Sequence, residues 1–189
     1  MNTPAHVLLG AAAFGQSDNR RVMVAAILGA LAPDASLYIM AGVSLFLMQI
    51  PPSVVFGQLY YSQEWQTVFA IDNSIFVWLS GLALALWRSA PAGTAFAAAG
   101  LLHIALDFPL HAGDGRAHFW PLSNWIFDSP VSYWDSAHHA MWVAPVSVAL
   151  CLAAYVVLWR KGIGWPGRIG FGALMIAELW VARQWILFF

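Results

Sequence analysis

Charge is scarce in this sequence. Asp, Glu, Lys and Arg together make up 9% of 189 residues, against about 25% in an ordinary soluble domain. A free globule of this size needs a polar shell, and these residues do not build one. The eight basic and nine acidic residues nearly cancel, leaving a net charge of −1, so no electrostatic attraction to nucleic acid is expected. Cysteine occurs once, which excludes a disulfide framework and a thiolate zinc site. Cys151 lies in an apolar run and reads as a small buried hydrophobe. There is no Gly-x-Ser-x-Gly, no phosphate-binding loop and no dinucleotide fingerprint. A basic start is missing as well. The first basic residues, Arg20 and Arg21, follow the first apolar run, so that run reads as a helix of the protein and not as a secretory leader.

What is present is apolar. Hydrophobic residues make up 61% of the chain, with 11 Trp and 12 Phe, and mean hydropathy is +0.69. The expected fold is an all-α, multi-spanning integral membrane bundle, one domain over 1–189, with the lipid bilayer as its surroundings. Apolar segments fall at 3–14, 22–32, 35–50, 74–87, 94–108, 138–159 and 169–189, with Pro33-Asp34 and Pro51-Pro52 as interruptions. Residues 53–70 mix Gln and Glu with Tyr and Trp, which suits an interfacial segment. Residues 112–137 form the one long polar stretch, expected outside the membrane, with Trp120, Trp125 and Trp134 holding it at the interface. The count is five or six transmembrane segments, some of half length.

Arg20-Arg21, Arg88, Arg160-Lys161 and Arg168 fall on one side if each helix crosses, and the positive-inside rule puts that side in the cytoplasm. His6, Asp34, Asp72, His103, Asp107, His111, His118, Asp135 and His138 then gather at the opposite end. The sharpest local signal is His103-x3-Asp107. Positions i and i+4 share a helix face, so the pair either reaches one metal ion or forms a hydrogen-bonded couple that pins two helices. Asp34 after Pro33 reads as a carboxylate aimed into a cavity or as a helix cap, and Asp72 as a ligand or a cap before the next helix. Imidazole plus carboxylate suits a divalent transition metal: zinc first, with manganese or iron as alternatives. A Ser-His-Asp triad can be written from Ser74, His103 and Asp107, but nothing in the sequence puts them in that geometry.

Thr3-Pro4-Ala5-His6-x3-Gly10, Leu28-Gly29-Ala30-Leu31-Ala32-Pro33-Asp34, and His103-x3-Asp107 ahead of Phe119-Trp120-Pro121-Leu122-Ser123 occur in an order that resembles the family of membrane-bound metal-dependent hydrolases. These are bacterial inner-membrane proteins with an N-terminal His, a Pro-Asp and a His-x3-Asp before a Trp-Pro. The His-x3-Asp is also similar to the metal-binding helix of zinc-dependent phospholipase C. Pro33-Asp34 is followed here by Ala35-Ser36-Leu37 where the family often continues with a second Asp and a His. Asp72 stands where the family carries a His and is expected to replace it. The resemblance implies a metal site of His6, Asp34, Asp72, His103 and Asp107, completed by His111 or His118, facing the periplasm. Asp72 and His118 are the expected catalytic groups, moving the proton of a metal-activated water. A lipid-like phosphoester or amide is the expected substrate. The alternative is a non-enzymatic membrane protein, a small transporter or a metal-binding or assembly subunit, in which Gly10, Gly29, Gly42, Gly81 and Gly100 serve only close helix packing.

Overall fold

The computed structural model describes residues 1–187, and among them all regular structure is helical. Helix α1, Thr3–Phe14, starts with Pro4 in its first turn, where a missing N–H costs nothing. At about 18 Å it is too short to cross a 30 Å hydrocarbon core. It sits instead at the centre of the bundle, against α2 (Arg20–Leu31), α7 (Pro91–Asp107), α8 (Ala140–Arg160) and α9 (Trp165–Leu187). Ala5, Leu8 and Ala11 are fully buried in it, packed with Cys151 and Leu158 of α8.

Among the described residues, three helical stretches are long and apolar enough to cross a membrane: Arg20–Leu47, Gln63–Trp87 and Ala140–Arg160. The first joins into one stretch the two runs expected on either side of Pro33-Asp34. Pro33 lacks an N–H and cannot continue the α-helical ladder, but the chain only tightens to a 3-10 turn at Ala32–Asp34 and resumes as α3, Ala35–Gly42. A π turn, Val43–Leu47, ends it before Pro51. A short α4, Pro52–Val54, passes into a second π turn, Val55–Leu59. The segment expected at the interface is helical over α5, Gln63–Asp72, and leads directly into α6, Ile75–Trp87. Ser74 caps α6, its Oγ accepting from the Val77 N–H. Helix α9 is long enough to span but carries Arg168, Glu178 and Arg183 and is not one of the three. Of the expected final segment 169–189, residues 188 and 189 lie outside the described residues.

The outward surface is apolar. Phe46, Leu47, Trp87, Trp142, Trp165 and Ile176 are all exposed, an arrangement that water penalises and a bilayer does not. Small residues set the inward packing. A Cβ on Gly29 of α2 would stand 2.0 Å from the Phe96 carbonyl oxygen of α7, and one on Gly100 would stand 2.1 Å from the Trp78 ring. Gly29 lets the backbones of α2 and α7 meet and draws the turn after α2 toward the end of α7, and Gly100 makes room on α7 for the Trp78 ring of α6.

The two ends of the bundle differ. Near Arg20 and Arg21, Lys161 Nζ donates to the carbonyls of Ala12 at 2.7 Å and Gly15 at 2.9 Å, the orphan acceptors at the end of α1. The other end is covered by residues 108–139, which contain only one 3-10 turn, Ser136–His138. This loop is pinned down. Ser74 Oγ donates to the Trp120 carbonyl at 2.5 Å, and the Ile75 N–H donates to the His118 carbonyl at 2.9 Å. Phe108 stacks on Phe127 with ring centroids 4.9 Å apart. The polar stretch is therefore a packed cap over the helix ends.

Candidate metal centre

His103 and Asp107 occupy the last turns of α7, and α1 brings His6 beside them. All three are buried, and one ligand atom from each lies within 4.8 Å of the others. His6 Nε2 is 3.0 Å from Asp107 Oδ1, and His103 Nε2 is 3.3 Å from Asp107 Oδ2. The two imidazoles stack, with centroids 3.7 Å apart and planes 13° from parallel. Asp34, at the end of the Pro33 turn, puts Oδ2 3.7 Å from His103 Nε2. His111 follows one turn beyond α7 and places Nε2 3.4 Å from Asp107 Oδ2. The Met1 amino group also contacts Asp107.

Hydrogen bonding decides what these distances mean. In the turn before Pro33, the Ala30 carbonyl accepts from His103 Nδ1 at 2.7 Å. With its proton on Nδ1, a neutral imidazole presents a lone pair at Nε2. That lone pair faces two carboxylates, which are also acceptors. Neither nitrogen of His6, nor His103 Nε2, has a hydrogen-bond partner, although all three atoms are buried. The Met1 amine meets Asp107 Oδ1, and what remains between these facing atoms is a place for a proton or a metal ion. A second proton on each of two stacked rings would set like charges face to face, whereas one metal ion takes both lone pairs. Ligand atoms about 2.0–2.2 Å from one zinc ion stand about 3–3.6 Å from each other, and the distances of His6, His103 and His111 from the Asp107 oxygens lie in that range. The His103–Ala30 bond is the outer-shell contact that orients a metal-bound imidazole.

Residues 111–133 surround this group. His111 Nδ1 is 3.1 Å from Asp114 Oδ1, and Asp114 Oδ2 accepts from Trp134 Nε1 at 3.0 Å. Burial disfavours a charged His111, but the carboxylates of Asp107 and Asp114 on either side outweigh it and hold its pKa above the usual histidine value. His118 faces the Asn73 carbonyl through Nδ1 at 3.0 Å. Burial lowers its pKa, and the nearby His111 and Arg116 charges act in the same direction against Asp107. Burial and then the carboxylates of Asp107, Asp34 and Asp114 raise the pKa of Tyr133.

Of the residues expected at the site, the structure brings His6, His103 and Asp107 together, with Asp34 and His111 at their edge and His118 behind. Asp72 is apart from them. It lines an apolar groove with Ile71, Val77 and Trp78. Its neighbour Asn73 turns inward, donating through Nδ2 to the Pro33 carbonyl at 3.1 Å. Ser74 is engaged as a cap and in the loop contact, so no Ser-His-Asp triad forms. His138 pairs with Asp135 at 2.7 Å in a local exposed contact.

Three participants escaped the sequence reading. Asp114 was visible as His111-x-x-Asp114. Glu178 of α9 is fully buried, accepts from Ser147 Oγ at 2.7 Å and from Asn2 Nδ2 at 3.2 Å, and ties α1, α8 and α9 together. Arg116 is 7% exposed, and its guanidinium lies over the rings of Phe69 at 4.3 Å and Tyr60 at 4.8 Å. The signal for Arg116 was its position, since it stands apart from the basic clusters at the other end. Two aromatic faces contribute about 2 kcal/mol or more each when desolvated, but they bring no net charge, and burying a lone cation costs several kcal/mol. The rings hold this arginine without neutralising it.

Fold and site together define an all-helical chain with helices of membrane-crossing length and a buried histidine–aspartate group able to hold a metal ion. Comparison with family models, curated proteins and solved structures finds no match to this chain.

Proposed function

We propose that the protein is an integral-membrane metal-dependent hydrolase, as the resemblance to the membrane-bound hydrolase family implies. In this reading it has five or six spans, some of half length, in a bacterial inner membrane, with the loop end toward the periplasm. One observation carries the reading: the unpartnered Nε2 atoms of His6 and His103 converge on Asp107 in a buried cluster. His6, His103 and Asp107 would hold a divalent ion, zinc foremost, with Asp34 and His111 within reach. Such an ion supplies an activated water near neutral pH. In this reading His118 would exchange the proton, since it lies near enough to Asp107, His111 and Arg116 to feel their charges, while Asp72 faces the groove. The surrounding apolar surface and the tryptophans of the loop favour a lipid-like substrate.

A second reading draws on the burial of the group. His6 and His103 are each 2% exposed, which also suits a non-enzymatic metal-binding subunit. Metal analysis of the detergent-purified protein by inductively coupled plasma mass spectrometry, wild type beside Asp107→Ala, tests the foundation of both. One or two equivalents of a transition metal, lost in the variant, are expected. Equal metal in the two proteins, or none in either after loading with zinc or manganese, overturns the metal centre. Turnover of a lipid phosphoester or amide by the loaded wild type separates the hydrolase from the binding subunit.

A further inference from the structure

Among the described residues, Arg116 is a buried cation at the loop end without a counter-charge. Its Nη1 is buried and has no hydrogen-bond partner. Among the described residues no carboxylate lies within ion-pairing distance of it; the carboxylates of this region face histidines or the Met1 amine instead. The backbone fastens this guanidinium in place, because the Arg116 carbonyl accepts from the His118 N–H at 3.0 Å and His118 is in turn held on Asn73. The same loop segment carries His111, which touches Asp107, so the unpaired cation and the histidine–aspartate group belong to one end of the bundle.

A desolvated guanidinium with a free N–H is completed by an oxyanion, for which its planar fork is shaped. Resting on the metal-centre reading above, we propose that Arg116 recognises the phosphate oxygens of a phosphoester substrate. This chooses between the two substrate chemistries of that reading. An amide or carboxylic ester brings no charge and leaves the guanidinium unpaired. A phosphoester brings negative charge and several terminal oxygens, enough for an arginine and a divalent ion to share. Charge clamps of this composition are the recurring means of stabilising phosphoryl groups.

The test is titration calorimetry on the full-length protein in detergent, with two probes: inorganic phosphate, and phosphatidic acid in mixed micelles against phosphatidylcholine. Arg116→Gln is expected to weaken binding of the phosphate-bearing probe at least tenfold with metal content unchanged. Arg116→Lys, which keeps the charge and loses the fork, is expected to fall between the two and guards against a packing defect in the first variant. Preference for phosphatidic acid makes the ligand a lipid headgroup, and preference for free phosphate makes it a soluble ester. Wild-type affinity in both variants, or no binding of either probe by the wild type, overturns the proposal. Repeating the titration with metal removed by a chelator separates the two readings: a protein that binds no metal yet loses phosphate through Arg116→Gln keeps the anion site and loses the metal centre.

Discussion

The two ends of the bundle use polar groups in opposite ways. At the basic end, Lys161 and Arg168 close open backbone valences. Lys161 reaches over to the last carbonyls of α1, and Arg168 donates to the Ile163 carbonyl at 3.0 Å while covering the Trp159 ring. At the loop end, imidazoles and carboxylates are buried against one another with nitrogen atoms left over. The first pattern is how helix termini are stabilised. The second lowers stability and is retained where a ligand is to be held. Both ends have histidine or lysine near helix ends, so residue type alone does not separate them. What separates them is whether each donor has found an acceptor.

His6→Leu is the sharpest way to break this comparison. Metal content is expected to fall below a tenth of wild type. Against metal-free wild type the metal-free variant should melt at about the same temperature, because the Met1 amine still partners the Asp107 carboxylate once His6 is gone. A large drop in the melting midpoint, followed by tryptophan fluorescence in detergent, would make His6 a structural residue like those at the other end. Lys161→Met should do the reverse. It frees the Ala12 and Gly15 carbonyls in a partly buried place, costing about 1–2 kcal/mol after allowing for water that replaces part of the contact, and leaves metal content unchanged.

The smallest effect concerns the exposed turn of Asp135. His138 and the Ala137 N–H hold its carboxyl below the ordinary aspartate pKa. A depressed pKa stabilises the turn above the ordinary aspartate range, and that contribution is lost as pH falls through the depressed value. Hydrogen-exchange protection of the Ala137 amide should therefore decline at acid pH in the wild type and lose that dependence in Asp135→Asn, with metal content the same in both.

The helix directions, the gathering of polar residues opposite the arginines and the His103–Asp107 pair were legible in the sequence, because each depends on spacing within a segment or on charge along the chain. Pro33 was legible as an interruption, and the 3-10 turn at Ala32–Asp34 stands there; that the two helices continue in line across it was not, since the sequence does not tell a stop from a tightened turn when neighbouring helices hold the chain in line. Asp72 illustrates the main limit. Successive helical residues point about 100° apart, so one position decides whether a side chain faces the cluster or the groove, and Asn73 took the inward place. Glu178 lies in an apolar run with no motif around it, and only its contacts with Ser147 and Asn2 give it a role.

Composition alone determined that this chain is helical and apolar on the outside, because a segment without water must satisfy its own backbone hydrogen bonds. Which histidines and carboxylates share one pocket was decided by the tertiary structure. The close crossing of α2 and α7 at Gly29 and Phe96 carries Asp34 to His103, and the burial of α1 in the bundle carries His6 to Asp107. The loop returns over the helix ends and leaves Arg116 buried without an anion. These are through-space distances set by the packing of distant segments, and no spacing along the chain contains them.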